Sequence, residues 1–252
     1  EIAITPNRPD ALGVRVIARD LAARGLGVLK ALKTVDIKPM FPCPIFVNID
    51  ADTLDQCLVF YGRVIKGVKN GSSPQWLQDR LKAIGLRPIS ALVDVTNFFT
   101  FDNNRPLHVF DANKVAGNEL RIHRAEGGET FSALDDKKYT LAEGMTVISD
   151  ASGIESLGGI MGGIQSGCTD DTTDVFVEAA FIDPVRTAYT GRALKINSDA
   201  RYRFERGIDP NWPSHGIDAA TQMILERCGG EASEVIFAGE IPDHSRSYHL
   251  DT

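Results

Sequence analysis

Leu120-Arg121-Ile122, Lys138-Tyr139-Thr140-Leu141, Thr146-Val147-Ile148 and Val175-Phe176-Val177 are short runs of apolar, β-branched and aromatic residues, separated by Gly, Asp and Ser turns. Such spacing predicts a β-rich middle. Upstream, Leu58 to Val68 alternates as a further strand. Ser73-Pro74 then opens a helix with Trp76, Leu77, Leu81 and Ile84 on its inner face and Gly85 as its cap. Ser90 can cap a second helix carrying Leu92, Val95 and Phe99, although the β-branched content of Leu92–Thr96 suits a strand almost as well. Downstream, Asp183-Pro184 starts a helix running to about Ala193, Ser198 can cap another, and Pro213 starts a third that ends near Gly229. Strands and helices do not alternate in βαβ order. The expected fold class is therefore α+β: a mixed or antiparallel β-rich core flanked by helices, not a Rossmann sheet.

Toward the N-terminus, Asn7 to Gly27 reads as a helix. Pro9 and Asp10 supply its start, Val14, Ile17, Ala18 and Leu21 share a face, and Gly25 and Gly27 stop it. From Leu29 to Cys43 the pattern weakens, and Pro39, Pro42 and Pro44 read as a linker. A domain boundary is therefore expected near residues 40–50. Glu1 to Pro6 lacks a signal-peptide pattern and an initiator Met, and reads as the inside of a strand, as expected of an excised fragment.

Composition narrows the function classes. The 252 residues are 43% hydrophobic and 24% charged, enough for a substantial core, with no internal repeat. No run of about 18 apolar residues is present, so no membrane span is expected. The net charge of −7 argues against gripping a long nucleic acid, which needs a basic face, and leaves contact with a strand end possible. Cys43, Cys57, Cys168 and Cys228 form no Cys-x-x-Cys pair, and His108 and His123 have no ligand-spaced neighbour. Free, largely buried thiols, no metal and a cytoplasmic location are the expectations.

Several segments are candidates for chemistry. Gly158-Gly159-Ile160-Met161-Gly162-Gly163 holds four glycines in six residues, a backbone entropy cost that needs a reason. It lacks both the phosphate-loop and the dinucleotide spacing. Close approach of backbone to a ligand and a glycine-rich strand crossing or bulge both explain it. Glu178 follows Val175-Phe176-Val177 and precedes Ala179-Ala180-Phe181, so its carboxylate must be solvated at a strand end, paired or functional. His108, among apolar residues, fits a structural role or a catalytic one. Asn197 to Gly207 reads as a capped helix with an Arg201–Glu205 pair, or as a stacking surface for bases. No Ser/His/Asp set or paired-carboxylate motif assembles by spacing.

Thr5-Pro6-Asn7-Arg8-Pro9-Asp10, Ala91-Leu92-Val93-Asp94-Val95-Thr96-Asn97, Pro106-Leu107-His108 with Phe110-Asp111, Gly159-Ile160-Met161-Gly162-Gly163 and Arg201-Tyr202-Arg203-Phe204-Glu205-Arg206-Gly207 together resemble the β subunit of bacterial phenylalanyl-tRNA synthetase, in that family's order. The resemblance implies that 1–45 is the tail of an N-terminal β-subunit domain plus linker, 46–230 the B3/B4 editing domain, and 231–252 a segment leading to the next domain. It implies hydrolysis of tyrosine mischarged onto the phenylalanine tRNA. A synthetic pocket shaped for phenylalanine rejects an added hydroxyl poorly, so a second site must select for that hydroxyl.

Position by position, the family's tyrosine-recognising glutamate corresponds to Glu178, its hydroxyl-bearing pocket residue to Ser198, its small pocket residue to Ala200 and its glycine wall to Gly162 and Gly163. The histidine near the ester corresponds to His108, and a basic residue near the tRNA end to Arg87. The family usually has Thr where Ser198 stands, so a methyl of packing is lost here. The implied mechanism is attack by a positioned water, with His108 and Ser198 as catalytic residues and no cofactor for this fragment. ATP and magnesium serve the whole enzyme, whose α subunit holds the synthetic site in an α2β2 assembly. The alternative is a non-catalytic module that positions tRNA or stabilises the subunits; a free amino-acid sensor is a third reading.

Overall fold

The computed structural model describes residues 2–32, 36–243 and 245–250. Part of the expected linker, Lys33-Thr34-Val35, and the ends of the first and last predicted segments lie outside them. Ile2 to Thr5, expected inside a strand, carry no regular structure. The first helix is shorter than expected. Pro9–Ala11 form a 3-10 turn, and α1 runs from Val14 to Ala23. Gly25 stops it at a positive φ of 75°, which suits glycine. None of the α1 residues is fully buried, so Val14 and Leu21 leave their apolar face open.

The body is layered. A central antiparallel sheet joins β2 (Cys57–Lys66), β10 (Asp174–Ile182) and β3 (His108–Asp111). On the other side of β2 lie β11 (Glu231–Ala232) and β12 (Ile236–Gly239). Thus the segment after residue 230 contributes edge strands to this sheet. A second sheet has the order β1 (Phe46–Ile49), β4 (Glu119–Arg124), β7 (Thr146–Ser149), β8 (Ile154–Leu157) and β9 (Met161–Gly162); only β1–β4 is parallel. A hairpin of β5 (Thr130–Ser132) and β6 (Lys138–Thr140) packs beyond it. The α+β expectation holds, with mostly antiparallel sheets and no Rossmann topology.

Helices α2 (Gln75–Ala83), α3 (Ala91–Asp102) and α6 (Trp212–Cys228) cover one face of the central sheet. Leu77 and Leu81 of α2 pack inward, but Ile84 falls just past the helix end and is exposed. Segment 91–102 is a helix despite its β-branched content. Asp94, fully buried, accepts from Ser73 Oγ at 2.5 Å and from the Ile89 amide at 2.9 Å, tying the α2–α3 loop to the helix. Those bonds, with Leu92, Val95 and Phe99 in the core, outweigh a weak strand propensity.

Strand β10 is sandwiched. Val175, Val177 and Ala179 face the helices, while Phe176 and Ala180 face the second sheet, against Phe60, Phe110, Leu120, Ile122 and Ile148. After β10 come α4 (Pro184–Leu194) and α5 (Asp199–Phe204). The N-terminal segment is docked by Asn104 Nδ2 donating to the Pro9 carbonyl at 2.8 Å and by Arg203 Nη2 donating to the Leu12 carbonyl.

Candidate active site

Glu178 is not at a strand end. It sits in the middle of β10, and alternation turns its side chain between the two sheets with Phe176 and Ala180. The β3 ladder ends beside it, with His108 as its directly paired residue. On β2 the opposite residue is Gly62, where an added Cβ would lie 2.2 Å from the Phe176 ring. A glycine there lets the ring lie across β2 and leaves the space beside Glu178 unfilled by any side chain from that strand.

The carboxylate is 7% exposed, and its Oε2 has no hydrogen-bond partner. Burial pushes its pKa up to about 7, with the Arg105 guanidinium pulling the other way. His108 stands edge-on to Phe110, ring centres 4.5 Å apart, and its Nε2 is also unpartnered. Burial lowers its pKa to about 4, so the imidazole is neutral at physiological pH. Near pH 7 the carboxyl is thus about half ionised and its ladder partner is a neutral imidazole, each with an unpartnered polar atom.

The glycine segment turns over this pair. A Cβ at Gly162 would be 2.2 Å from His108 Cε1, so only glycine admits the ring. Gly163 faces elsewhere: its amide donates to the Glu155 carbonyl at 2.7 Å, and a Cβ would meet that carbonyl oxygen at 2.8 Å. Gly159, at φ 71°, lies against Ile182 and Phe204. Close approach and strand crossing both operate, and at Gly162 the approaching group is a side chain of the protein itself.

Ser198 caps α5 by accepting from the Arg201 amide at 3.0 Å, and its hydroxyl donates to the Ile160 carbonyl at 2.7 Å. Its one proton is therefore committed to the glycine segment. Ala200, in the first turn of α5, packs against the inter-sheet core. The Arg201–Glu205 pair forms, at 3.0 Å. The structure brings His108, Glu178 and Gly162 together, and Ser198 reaches them through Ile160. Arg87 is exposed on the α2–α3 loop, on the helix-covered side of the central sheet, and is not joined to that group.

Sequence reasoning missed Arg105 and Gly62. Arg105 is 1% exposed; its Nη1 donates to the Asp209 carbonyl at 3.1 Å and its Nη2 to the Ala180 carbonyl. A charge beside Pro106-Leu107-His108 was its signal, and a lone glycine inside an apolar strand was that of Gly62. Two hollows open nearby. One of about 620 Å³ lies between the N-terminal segment and the body, lined by Arg15, Arg19, Arg105 and Trp212 among others. One of about 300 Å³ lies at Ser198, Arg201, Tyr202 and Glu205. Neither is lined by Glu178 or His108. Leu134, half exposed, comes within 3.2 Å of the Cβ position of Gly162 and caps the approach to His108.

The four cysteines are unpaired, and among the described residues no group of three or more His, Cys, Asp or Glu is gathered as a metal would need. No described helix is long and apolar enough to cross a membrane.

The chain is 65% identical to a phenylalanine–tRNA ligase β subunit from Ruegeria pomeroyi and 61% identical to one from Cereibacter sphaeroides, in each case over 100% of its length and 31% of theirs. It thus spans about a third of these curated relatives. A solved N-terminal fragment of the phenylalanyl-tRNA synthetase β-subunit from Pyrococcus horikoshii shares the fold, with a TM-score of 0.50 at 16% identity, covering 96% of this chain and 65% of that one. Residues 56–229 match the family described as the B3/4 domain. That match takes in well over half of the sequence, including β2, β3, β10 and the glycine segment, and the chain belongs to the B3/4 domain family.

Proposed function

We propose that this chain is the post-transfer editing module of a phenylalanine–tRNA ligase, and that it hydrolyses the ester joining tyrosine to the phenylalanine tRNA. The observation that carries the reading is the Glu178 carboxylate, buried between two sheets with Oε2 unpartnered, opposite the unpartnered Nε2 of His108. A buried acceptor without a donor is costly, and the phenol of tyrosine supplies the missing donor. Phenylalanine offers none and leaves the acceptor unpaired.

The chemistry this reading assigns is modest. A water attacks the ester carbonyl, the neutral imidazole of His108 orients it or takes its proton, and the bond from the acyl carbon to the ribose oxygen breaks as that oxygen takes up a proton, releasing free tyrosine. Oxyanion stabilisation falls to donors other than the Gly158, Ile160 and Gly163 amides, which are committed to the Thr146, Leu157 and Glu155 carbonyls. Ser198 acts by position, holding Ile160 and hence the turn around Gly162 with its committed hydroxyl. Ala200 floors the tyrosine pocket, while Gly163, turned toward Glu155, and Arg87, apart on the α2–α3 loop, are assigned to the wall and the tRNA end by the family resemblance alone. Leu134 must swing aside for the substrate to enter. No cofactor is needed for this step. ATP and magnesium, the α subunit and the α2β2 assembly belong to the rest of a cytoplasmic enzyme, and so does the grip on the tRNA body, as the net charge of −7 favours.

The closed approach to Glu178 favours a second reading, a non-catalytic module that positions tRNA or stabilises the subunits. Deacylation decides between them. The complete enzyme should release tyrosine from tyrosyl-tRNA (phenylalanine acceptor) far faster than phenylalanine from its cognate ester. Loss of that preference in Glu178→Ala supports editing, whereas an undiminished preference returns the chain to the binding role.

A further inference from the structure

We propose that Arg105 is a positioning residue that keeps the Glu178 carboxylate charged without touching it, and so sets the pH range in which the site distinguishes a phenol from a phenyl ring. This rests on Glu178 being the phenol acceptor. The β3–β10 ladder ends at the His108–Glu178 pair, and Arg105, three residues earlier in the chain, takes over the exposed edge of β10 by donating to the Ala180 carbonyl. Its other bonded acceptor is the Asp209 carbonyl, and its Nε has no partner. Both acceptors are uncharged, and no direct ion pair joins the guanidinium to any carboxylate among the described residues. A fully buried guanidinium without a direct ion pair therefore lies against the strand that carries the buried Glu178 carboxyl.

The two strands paired with β10 supply Glu178 with no charge. From β3 comes His108, uncharged above about pH 5. From β2 come Gly62, which has no side chain, and the Cys57 thiol, which burial and Glu178 keep protonated. Asp209 acts on Arg105. Arg105 is the one cation that acts on the carboxyl, and it holds the pKa down against desolvation. A merely structural Arg105, tying β10 to the 209 loop, would affect stability and leave the ionisation of Glu178 alone.

The test is the ratio of tyrosyl to phenylalanyl ester hydrolysis between pH 5 and 9 in the complete enzyme, for wild type, Arg105→Gln, Arg105→Lys and Glu178→Gln. General damage lowers both rates, whereas the charge on Glu178 moves the ratio. In wild type the ratio should rise with a midpoint near neutrality. Arg105→Gln should move that midpoint up by on the order of one pH unit, the size expected when a nearby opposite charge is lost. At pH 7 the ionised fraction, and with it the ratio, then falls about fivefold. Arg105→Lys, which keeps the charge, should restore the midpoint. Should Arg105→Gln fail to fold, Arg105→Met fills the same volume and must give the same shift. A midpoint unmoved by either neutral variant overturns the role of Arg105. If instead Glu178→Gln keeps the wild-type ratio at every pH, the reading of Glu178 itself fails.

Discussion

Replacing Glu178 by Gln should make the protein more stable at pH 8 and leave it nearly unchanged at pH 4.5. Burial raises the folded-state pKa of Glu178 to about 7 from an ordinary 4.5. A carboxyl whose folded pKa is raised binds its proton more tightly in the native state. Its contribution to stability is therefore greatest below pH 4.5, declines as the pH climbs toward 7 and is flat beyond. With about 1.4 kcal/mol per unit, a gap of roughly two and a half units means about 3 kcal/mol lost across that window. Gln keeps the shape and cannot ionise, so it escapes the loss. The other titrating groups are common to both proteins and, apart from Arg105 and Cys57, on which Glu178 acts, cancel in the difference. Urea unfolding of wild type and Glu178→Gln at pH 4.5, 6 and 8 gives the comparison directly. The advantage of the variant should grow by about 3 kcal/mol from the lowest pH to the highest. A difference that stays flat would mean that water or a counter-ion neutralises the carboxylate, and the case for a dry acceptor collapses.

Three further outcomes are expected. His108→Ala should slow single-turnover hydrolysis of the tyrosyl ester by up to about 10²–10⁴-fold if the imidazole moves a proton, and by less if it only orients water; an unchanged rate assigns it to packing against Phe110. Gly162→Ala places a methyl 2.2 Å from His108 Cε1 and should displace the ring, lowering activity and costing about 1–3 kcal/mol in urea unfolding; full activity would show that the ring position is immaterial. Mass measurement of the denatured, unreduced protein should find all of Cys43, Cys57, Cys168 and Cys228 as thiols, and a shortfall of two protons would contradict this.

The elements legible in the sequence are those with one buried face or a strong start signal. Pro74, Asp183 and Pro213 mark helix starts that the structure keeps, because capping and a preset φ act locally. Strand β10 was only half legible. Burial on both faces removes the alternation that marks a strand, so the reading stopped at Val177 and placed Glu178 at an end. Segment 91–102 was ambiguous for a related reason: its deciding bonds, from Ser73 and Ile89 to Asp94, join residues that local propensity cannot see. At the site, His108, Glu178 and Gly162 carried signals of residue type. The contacts of Arg105 with Ala180 and Asp209 and the clash that keeps Gly62 a glycine arise only when distant segments are folded together.

On the proposed reading of Glu178 as the phenol acceptor, the fold keeps a buried carboxylate for recognition. A site that must favour tyrosine over phenylalanine gains little from apolar fit, because the smaller ring enters wherever the larger one does. Selectivity needs an acceptor that suffers when left unpaired, which requires exclusion from water. Placing Glu178 in mid-strand, on the same face of β10 as the core residues Phe176 and Ala180, achieves that exclusion. Glycine at 62 and 162 then admits the Phe176 and His108 rings, which any larger side chain would displace. The arrangement costs about 3 kcal/mol at neutral pH and above, a large share of the usual 5–15 kcal/mol of a domain. The extensive apolar packing on both faces of β10 is what makes that cost tolerable. Arg105 limits it further, since a field acting from the strand edge lowers the penalty of charging without occupying the acceptor. A direct Arg105–Glu178 ion pair would stabilise the fold more and recognise nothing.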